Sequence, residues 1–245
     1  MDRTIQRIIP YDRSIVVAAD VSSPAAAAFL AGALKGVNRI GGFKVGLELG
    51  LAGLKQTVDA IRNVDPNAAV IYDHQKAGND IPEMGAKFAK QVKMAGCDAA
   101  ILFPFAGPET QERWTKDCQD AGLGIIVGGV MTHPKFLVSE GGYIADDAPE
   151  RIVRLACALG VRDFVVPGTK IAWVEKLHGI LVEELGIANF VLYAPGFITQ
   201  GGDISECGRA AGAYFHPIVG RDIYGKATAA EMREAAVRLV RALSA

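Results

Sequence analysis

Eight short apolar runs, each followed by a longer segment of helical period, predict an α/β protein that folds as a (β/α)8 barrel, a TIM barrel. The runs are continuous rather than alternating in polarity, which is typical of strands buried on both faces of a parallel sheet. The length of 245 residues is also close to the ~250 residues typical of such barrels. A doubly wound open sheet is the competing fold, but it more often has fewer strands or a second domain.

The predicted elements follow one another in a regular order. The strands are expected at "SIVVAAD" (14–20), "GFKVGLE" (42–48), "AVIYD" (69–73), "DAAILFP" (98–104), "GIIVGGV" (124–130), "DFVVPG" (163–168), "NFVLYAP" (189–195) and "AYFHPIVG" (213–220). The helices are expected at residues 23–36, 48–62, 81–95, 107–121, 148–159, 171–184, 203–211 and 227–243. Because no linker, low-complexity tract or change in composition divides these units, we expect a single domain over residues 1–245.

The composition is that of an ordinary globular protein, with 50% hydrophobic residues, 22% charged residues and a formal net charge of −1. A chain so close to neutral has no general electrostatic attraction to nucleic acid or to an anionic membrane. We therefore expect neither of them as a partner. An anionic ligand would have to be bound by positive charge placed locally.

The cysteines and the amino-terminal residues predict a cytoplasmic protein. Cys97, Cys118, Cys157 and Cys207 are far apart and form no CxxC pair, so we expect buried thiols in a reducing compartment rather than metal ligands. The first residues, "MDRTIQRIIPYDRS", lack the apolar run of a signal peptide. No stretch approaches the ~18 apolar residues of a membrane span.

Polar residues lie at the carboxyl ends of several predicted strands, where the chemistry of such barrels is located. Strand 1 ends in Asp20, strand 2 carries Lys44 and strand 3 ends in Asp73. Lys76 follows strand 3, and Thr132 follows strand 5. In a closed barrel these positions converge on one mouth, so the sequence predicts a site there.

The charged residues of strands 2 and 3 predict an alternating array. Strands that follow one another are usually neighbours about 5 Å apart, so Lys44 and Asp73 are expected side by side, with Lys76 and Asp80 on the loop beyond. Each lysine favours the ionised form of the adjacent aspartate, and each aspartate keeps its lysine protonated. A purely structural ion-pair network is the alternative.

The turns after strands 7 and 8 predict a phosphate site. The stretch "YAPGFITQGGDISE" (193–206) has a proline and three glycines at a strand-to-helix turn, and "IVGRDIYG" (218–225) adds Gly220 and Arg221. Glycine lets the backbone N–H groups approach an anion, and the arginine guanidinium binds it with paired donors. Loops after strands 7 and 8 form a phosphate site in many barrels. Glycine acting only as a loop residue is the alternative.

The motifs "FKVGLEL", "D…K…DIP", "MTHP", "PGFITQGGD" and "VGRDIYG" occur in that order over about residues 14–243. In this the chain resembles the orotidine 5′-monophosphate decarboxylase family. The resemblance implies a carboxy-lyase of pyrimidine biosynthesis that converts orotidine 5′-monophosphate to UMP without a cofactor. It also implies a homodimer whose subunits share their active sites.

The resemblance assigns catalytic roles to the charged array. Asp20 and Lys44 would hold the ribose hydroxyls, Asp73 would face the substrate carboxylate, and Lys76 would donate the proton to the ring carbanion. Asp80 would reach into the active site of the partner subunit.

The resemblance also assigns the binding residues. Thr132 would contact the pyrimidine, and Gln200, Gly220 and Arg221 would bind the phosphate. Pro195 would shape the phosphate loop.

Two features of the chain depart from the family pattern. The family has Asp, one residue, Lys, two residues and Asp, whereas here two residues separate Asp73 from Lys76 and three separate Lys76 from Asp80. Met84 also stands where the family usually has a threonine that contacts ribose. Unless the loop bulges, the longer spacing changes the direction in which the side chains of the array point. These departures indicate either a divergent branch of the family or an enzyme of changed activity.

Two other functions stay open from the sequence. A Mg²⁺-dependent sugar-phosphate decarboxylase or aldolase of the same barrel family would need carboxylates suited to the ion, such as Glu48 with Asp73. A non-catalytic nucleotide-binding barrel would result if the longer loop displaced Lys76. His133 is expected to shape its turn, while His74 either fills a bulge or touches the ligand.

Overall fold

The computed structural model describes residues 7–74, 77–197 and 202–243 and forms a closed barrel of eight strands. Each strand pairs in parallel with the next along the chain, and β8 pairs with β1. The strands are β1 Ile15–Ala18, β2 Ile40–Val45, β3 Ala69–Tyr72, β4 Ala99–Leu102, β5 Gly124–Gly128, β6 Asp163–Val165, β7 Val191–Pro195 and β8 Phe215–Val219. The predicted (β/α)8 barrel is confirmed.

Helices surround the barrel. They are α1 Pro24–Leu34, α2 Leu47–Val64, α3 Gly85–Met94, α4 Pro108–Asp120, α5 Ala148–Ala158, α6 Ile171–Leu185, α7 Ile204–Ala211, α8 Arg221–Tyr224 and α9 Ala229–Ala242. Short 3-10 helices occur at Pro82–Met84 and Val138–Glu140. Among the described helices, none is long and apolar enough to cross a bilayer.

Most predicted elements extend one to four residues beyond the observed ones, as at helix α3, which begins at Gly85 instead of residue 81 because a 3-10 helix precedes it. Strand β2 ends at Val45 instead of residue 48, because Gly46 is the N-cap of α2 and Leu49 packs inward from that helix. Strand β6 ends at Val165 rather than at residue 168, although the N–H groups of Val166 and Gly168 still donate to the Tyr193 and Pro195 carbonyls of β7. The four-residue helix α8 was absent from the sequence prediction.

Local capping explains where several helices begin. The Ser23 side chain accepts from the Ala26 N–H, and Pro24 occupies the first turn of α1. At α9, Thr228 and Glu231 form a reciprocal capping box. These residues mark the start of each helix directly after its connecting loop and so set the loop lengths around the barrel mouth.

Both faces of the strands are buried, which accounts for the continuous apolar runs. Along β1, Val16 packs in the barrel interior, whereas Ile15 and Val17 pack against the helices. The interior cluster includes Ile71, Ile101 and residues from β5, β6, β7 and β8. The barrel is therefore a filled core, and open space remains at its carboxyl end.

The amino-terminal end of the barrel interior contains a row of buried polar side chains. Tyr193 donates to Asp163 Oδ1 at 2.9 Å, and Ser14 Oγ lies 2.8 Å from His216 Nδ1. The Tyr193 and His216 rings lie 5.0 Å apart between these two pairs. Burial raises the pKa of Asp163 to about 7 and lowers the pKa of His216 to about 4.

We expect the variant Asp163→Asn to change the pH dependence of stability. Because the pKa of Asp163 is about 7 in the folded protein against an ordinary value of 3.8, its contribution to stability is largest at low pH and declines as pH rises toward 7. The wild type should therefore lose up to ~1.4 kcal/mol per pH unit relative to the variant between pH 5 and 7. Urea unfolding at several pH values measures this difference.

The exposed Asp120→Asn variant is the control for that measurement, because Asp120 lies at the end of α4 on the surface. Its stability should follow the wild type at every pH. Parallel curves for wild type and Asp163→Asn would contradict the assignment of a raised pKa to this carboxyl.

Candidate active site

Lys44 is the central charged residue at the barrel mouth. Its Nζ lies 3.2 Å from Asp73 Oδ2 and 3.2 Å from Asp20 Oδ1. The three residues come from adjacent chain segments, since β2 pairs with β1 on one side and with β3 on the other. The predicted contact between Lys44 and Asp73 is present, and Asp20 joins it from the opposite side.

The environment keeps Lys44 charged. Lys44 and Asp73 are only 9% and 8% exposed, whereas the Asp20 side chain is 50% exposed. Burial by itself lowers the pKa of Lys44, but the charges of Asp73 and Asp20 outweigh it and raise the pKa above its ordinary value. The ammonium therefore carries its proton at neutral pH.

Asp73 has hydrogen-bonding capacity left over. Its Oδ2 contacts Lys44, but its Oδ1 is buried and has no hydrogen-bond partner within the described part of the chain. Buried polar atoms in folded proteins nearly always have a partner, so an unpaired carboxylate oxygen needs an explanation. A purely structural ion pair leaves this oxygen unexplained, whereas a carboxylate that acts on a ligand accounts for it.

A cavity of about 250 Å³ opens at the carboxyl ends of the strands. Asp20, Lys44 and Asp73 form its charged side. The other described lining residues are Ala18, Ile101, Phe103, Val130, Met131, Thr132, Val165, Pro195, Gly196, Phe197, Ile218, Gly220, Arg221 and Tyr224. An apolar wall therefore faces the charged residues, and its low polarity strengthens their electrostatic interactions.

The turns after β7 and β8 form the other end of the cavity. Gly196 has φ of +109°, and the Gly202 N–H donates to its carbonyl at 3.2 Å. A Cβ on Gly202 would lie 2.9 Å from two carbonyl oxygens, so only glycine fits there. Arg221 is exposed at the rim, and no carboxylate of the described residues forms an ion pair with it. Its guanidinium is available to an anion.

Most predicted site residues line this cavity. The seven are Asp20, Lys44, Asp73, Thr132, Pro195, Gly220 and Arg221. Lys76 and Gln200 lie outside the described residues. Asp80 is exposed and does not line the cavity as far as the described residues define it, and its carboxylate accepts the N–H of Ile81 at 2.7 Å.

The two departures from the family pattern have local consequences. Met84 lies in the 3-10 helix before α3 and packs against the hydrophobic core. Beyond Asp73, the Ala77 N–H donates to the His74 carbonyl at 2.8 Å, and the Ala77 carbonyl accepts from Phe103 at 3.0 Å. The described ends of the longer segment are thus tied to one another and to the loop after β4.

Other residues considered in the sequence lie away from the cavity. Glu48, which a Mg²⁺ enzyme would need beside Asp73, is exposed on α2 and is absent from the described cavity lining. The His133 ring packs edge-on against Phe136 at 5.8 Å, which fits its predicted role in the turn. All four cysteines are free and buried.

Sequence reasoning missed Tyr224 and the apolar wall. Tyr224 lies in the same "VGRDIYG" motif as Arg221, three positions later, so helical spacing was the available signal. Its ring lies so close to residue 220 that a Cβ there would be 3.0 Å from Tyr224 Cε1. Burial, with Asp20 adding, raises the pKa of Tyr224. Residues such as Phe103 and Met131 carry no comparable signal, because apolar residues occur throughout the strands.

The chain is similar to known orotidine 5′-phosphate decarboxylases both in a family model and in individual sequences. The family model described as "Orotidine 5'-phosphate decarboxylase / HUMPS family" matches residues 13–236. A curated orotidine 5′-phosphate decarboxylase from Methanosarcina mazei is 32% identical over 181 residues, which are 74% of each chain. That from Methanosarcina barkeri is 31% identical over 202 residues, which are 82% of each chain.

A solved structure shares the fold. The crystal structure of orotidine 5′-monophosphate decarboxylase from Methanocaldococcus jannaschii, complexed with the inhibitor BMP, aligns with a TM-score of 0.80 at 23% identity. The alignment covers 95% of this chain and 99% of that one. At this identity the likeness supports the barrel fold.

We expect Asp73→Asn to lower the pKa of Lys44. The substitution removes the nearest buried countercharge and leaves the desolvation of the ammonium unopposed except by Asp20. Titration of the Lys44 side chain by NMR measures the change. Asp20→Asn is the matched variant and should have the smaller effect, because Asp20 is half exposed. An unchanged Lys44 pKa in Asp73→Asn would contradict this account.

Proposed function

Because the chain belongs to the orotidine 5′-phosphate decarboxylase / HUMPS family, we infer that it is a carboxy-lyase that decarboxylates orotidine 5′-phosphate in pyrimidine biosynthesis. The family predicted from the sequence motifs is thereby confirmed. The curated relatives are named for the nucleotide decarboxylase, so the Mg²⁺-dependent sugar-phosphate enzyme and the non-catalytic barrel are not favoured.

One observation supports the assignment of this activity to the cavity. Among the described residues, a buried oxygen of Asp73 has no hydrogen-bond partner at one end, and the Arg221 guanidinium has no ion-pair partner at the other end. We propose that the pyrimidine carboxylate lies against Asp73 and that the phosphate binds at Arg221, Gly220 and the turn at Pro195. Thr132 lines the space between these ends and would contact the ring.

Decarboxylation of this substrate breaks the bond from a ring carbon to the carboxylate. CO2 leaves, and the electron pair stays on a carbon that has no group to delocalise it. A like-charge contact between Asp73 and the substrate carboxylate costs about 4 kcal/mol at 4 Å and an effective dielectric of 20. The departure of CO2 relieves that repulsion. The repulsion therefore raises the free energy of the bound substrate more than that of the transition state.

Lys76 is proposed as the residue that completes the reaction. An ammonium near the ring carbon stabilises the developing negative charge and then transfers its proton to that carbon. The proposal rests on the family motif, since Lys76 lies outside the described residues. Gln200, which is also outside them, is proposed as a further phosphate ligand on the same grounds.

Lys44 and Asp20 have a different proposed role. The Asp20 carboxylate is half exposed at the rim and can accept a hydrogen bond from a ribose hydroxyl, while Lys44 can donate one. Lys44 also holds Asp73 Oδ2, so it orients the carboxylate. Binding energy from the ribose and phosphate would hold the reacting carboxylate beside Asp73 despite the repulsion.

The proposed assembly is a homodimer in the cytoplasm. Asp80 is exposed beside the mouth rather than inside the cavity, as a residue that serves a partner subunit would be. The free, buried cysteines fit a reducing compartment. Small nucleotides are the proposed ligands, and no cofactor is proposed.

We expect Lys76→Ala to lose turnover of orotidine 5′-phosphate by at least ~100-fold while still binding UMP, because proton transfer is removed and the grip on phosphate is not. The loss of the substrate's ultraviolet band, with and without EDTA, measures turnover, and calorimetry measures UMP binding. Lys90→Ala on the exposed face of α3 is the control. Near-normal turnover in Lys76→Ala would reject the role of Lys76, and loss of wild-type turnover in EDTA would revive the Mg²⁺ enzyme.

We expect Arg221→Ala to weaken UMP binding by about 10- to 100-fold, as the loss of a charge-assisted hydrogen bond of ~1.5–3 kcal/mol implies. Uridine has no phosphate, so its affinity should stay unchanged. The exposed Arg209→Ala in α7 serves as the control. Equal losses for UMP and uridine would show that Arg221 does not act on the phosphate.

A further inference from the structure

Tyr72 and His74 contact each other on either side of Asp73. The Tyr72 hydroxyl lies 3.0 Å from His74 Nδ1, and the two rings meet edge-on with their centroids 5.7 Å apart. Residues two positions apart in an extended chain lie on the same face of a sheet. The contact therefore holds both rings outside the barrel and directs the intervening Asp73 carboxylate inward, toward Lys44.

The tyrosine of this pair is firmly placed. Tyr72 is 7% exposed and stacks on Phe88 of α3 at 6.2 Å, and Phe88 packs on Trp114 of α4 at 5.0 Å. A Cβ on Gly50 of α2 would lie 2.7 Å from the Tyr72 hydroxyl, so glycine provides the room for that group. Burial raises the pKa of Tyr72, and its hydroxyl therefore keeps its proton for the contact with His74.

Tyr72, Phe88 and Trp114 form an aromatic row, and its far end contacts the other end of the segment that follows Asp73. Trp114 Nε1 donates to the Ile81 carbonyl at 3.1 Å, and Thr110 Oγ1 donates to the Asp80 carbonyl at 3.0 Å. His74 begins the segment, and its carbonyl accepts from Ala77. Both ends of the longer segment thus depend on contacts made outside the barrel.

Such a tether matters because the sheet does not extend beyond Asp73. The Asp73 N–H donates to the Val45 carbonyl at 2.9 Å, and β3 itself ends at Tyr72. A loop with additional residues has more conformations to lose on ordering, so it needs contacts that select one of them. Tyr72 and His74 flank Asp73 along the chain, and the contact between their side chains is of this kind.

We propose that Tyr72 and His74 form a positioning pair that fixes the direction of the Asp73 carboxylate for decarboxylation, an inference that rests on the proposed function. His74 is a positioning residue rather than a catalytic one, because its ring lies in a groove between α2 and α3 and not in the cavity at the barrel mouth.

The test compares His74→Ala, Tyr72→Phe and the double variant in the orotidine 5′-phosphate assay. Each single variant should lower kcat about 10- to 100-fold, because small misplacements of reacting groups are expensive in rate. KM and the affinity for UMP should change by less than about 3-fold, since the phosphate end is untouched. The double variant should be no worse than the worse single variant, as expected for two residues that act as one unit.

Two further variants separate positioning from loss of structure. His74→Asn keeps a group that can accept from the tyrosine hydroxyl, so it should recover most of the kcat lost in His74→Ala. His178→Ala is the matched control, since His178 also packs edge-on against an aromatic ring, that of Phe190 at 5.3 Å, but on α6. Its kcat should equal that of the wild type.

The outcomes are distinguishable. Wild-type kcat in both His74→Ala and Tyr72→Phe would overturn the positioning pair, as would equal losses in His178→Ala or no recovery in His74→Asn. Additive losses in the double variant would show that the two residues act separately and would also reject the pair. If the wild type does not decarboxylate orotidine 5′-phosphate, the proposed function itself fails, and the positioning role fails with it.

Discussion

The buried Lys44 ammonium between two carboxylates is the interaction on which the site depends. Removing an ammonium from water is costly unless opposite charges remain in contact with it. Asp73 and Asp20 provide those charges from positions just beyond β3 and β1, the strands on either side of β2. Three adjacent chain segments must therefore keep their register for the lysine to stay charged. The strand register of the barrel therefore also determines the charge state of the site.

The charged residues occupy one side of the cavity, and the rest of its lining is largely apolar. Acidic and basic groups occupy the side formed by β1, β2 and β3, whereas Ile101 of β4, Val130 beyond β5 and Val165 of β6 form an apolar wall. Charges that face an apolar wall interact more strongly than they would in water. The exposed Arg221 lies apart from that cluster, where it is free to hold an anion. Such a division suits a ligand with an acidic ring at one end and a phosphate at the other.

The outer surface of the barrel contributes to the inner site. Alternation along an extended strand means that a contact between two outward side chains also sets the direction of the residue between them. Tyr72 and His74 have that relation to Asp73, and the aromatic row from Tyr72 to Trp114 continues to the carbonyl of Ile81. Packing outside the cavity therefore holds the described ends of the longer loop, while Lys44 and Asp73 keep their contact inside the cavity.

The sequence by itself determined the eight strands, most of the helices and the charged and glycine-rich ends of the strands, because apolar runs, helical spacing and turn residues are local signals. It also indicated that Lys44 and Asp73 would meet, since consecutive strands are usually neighbours. Only the tertiary structure decided which distant residues share the cavity. Gly220 and Tyr224, which are close to each other through helix α8, lie near Ala18 because β8 closes the barrel against β1. The outward position of Asp80 likewise depends on the turn at Ile81, whose N–H its carboxylate binds, and on how α3 packs, and no local pattern specifies that packing.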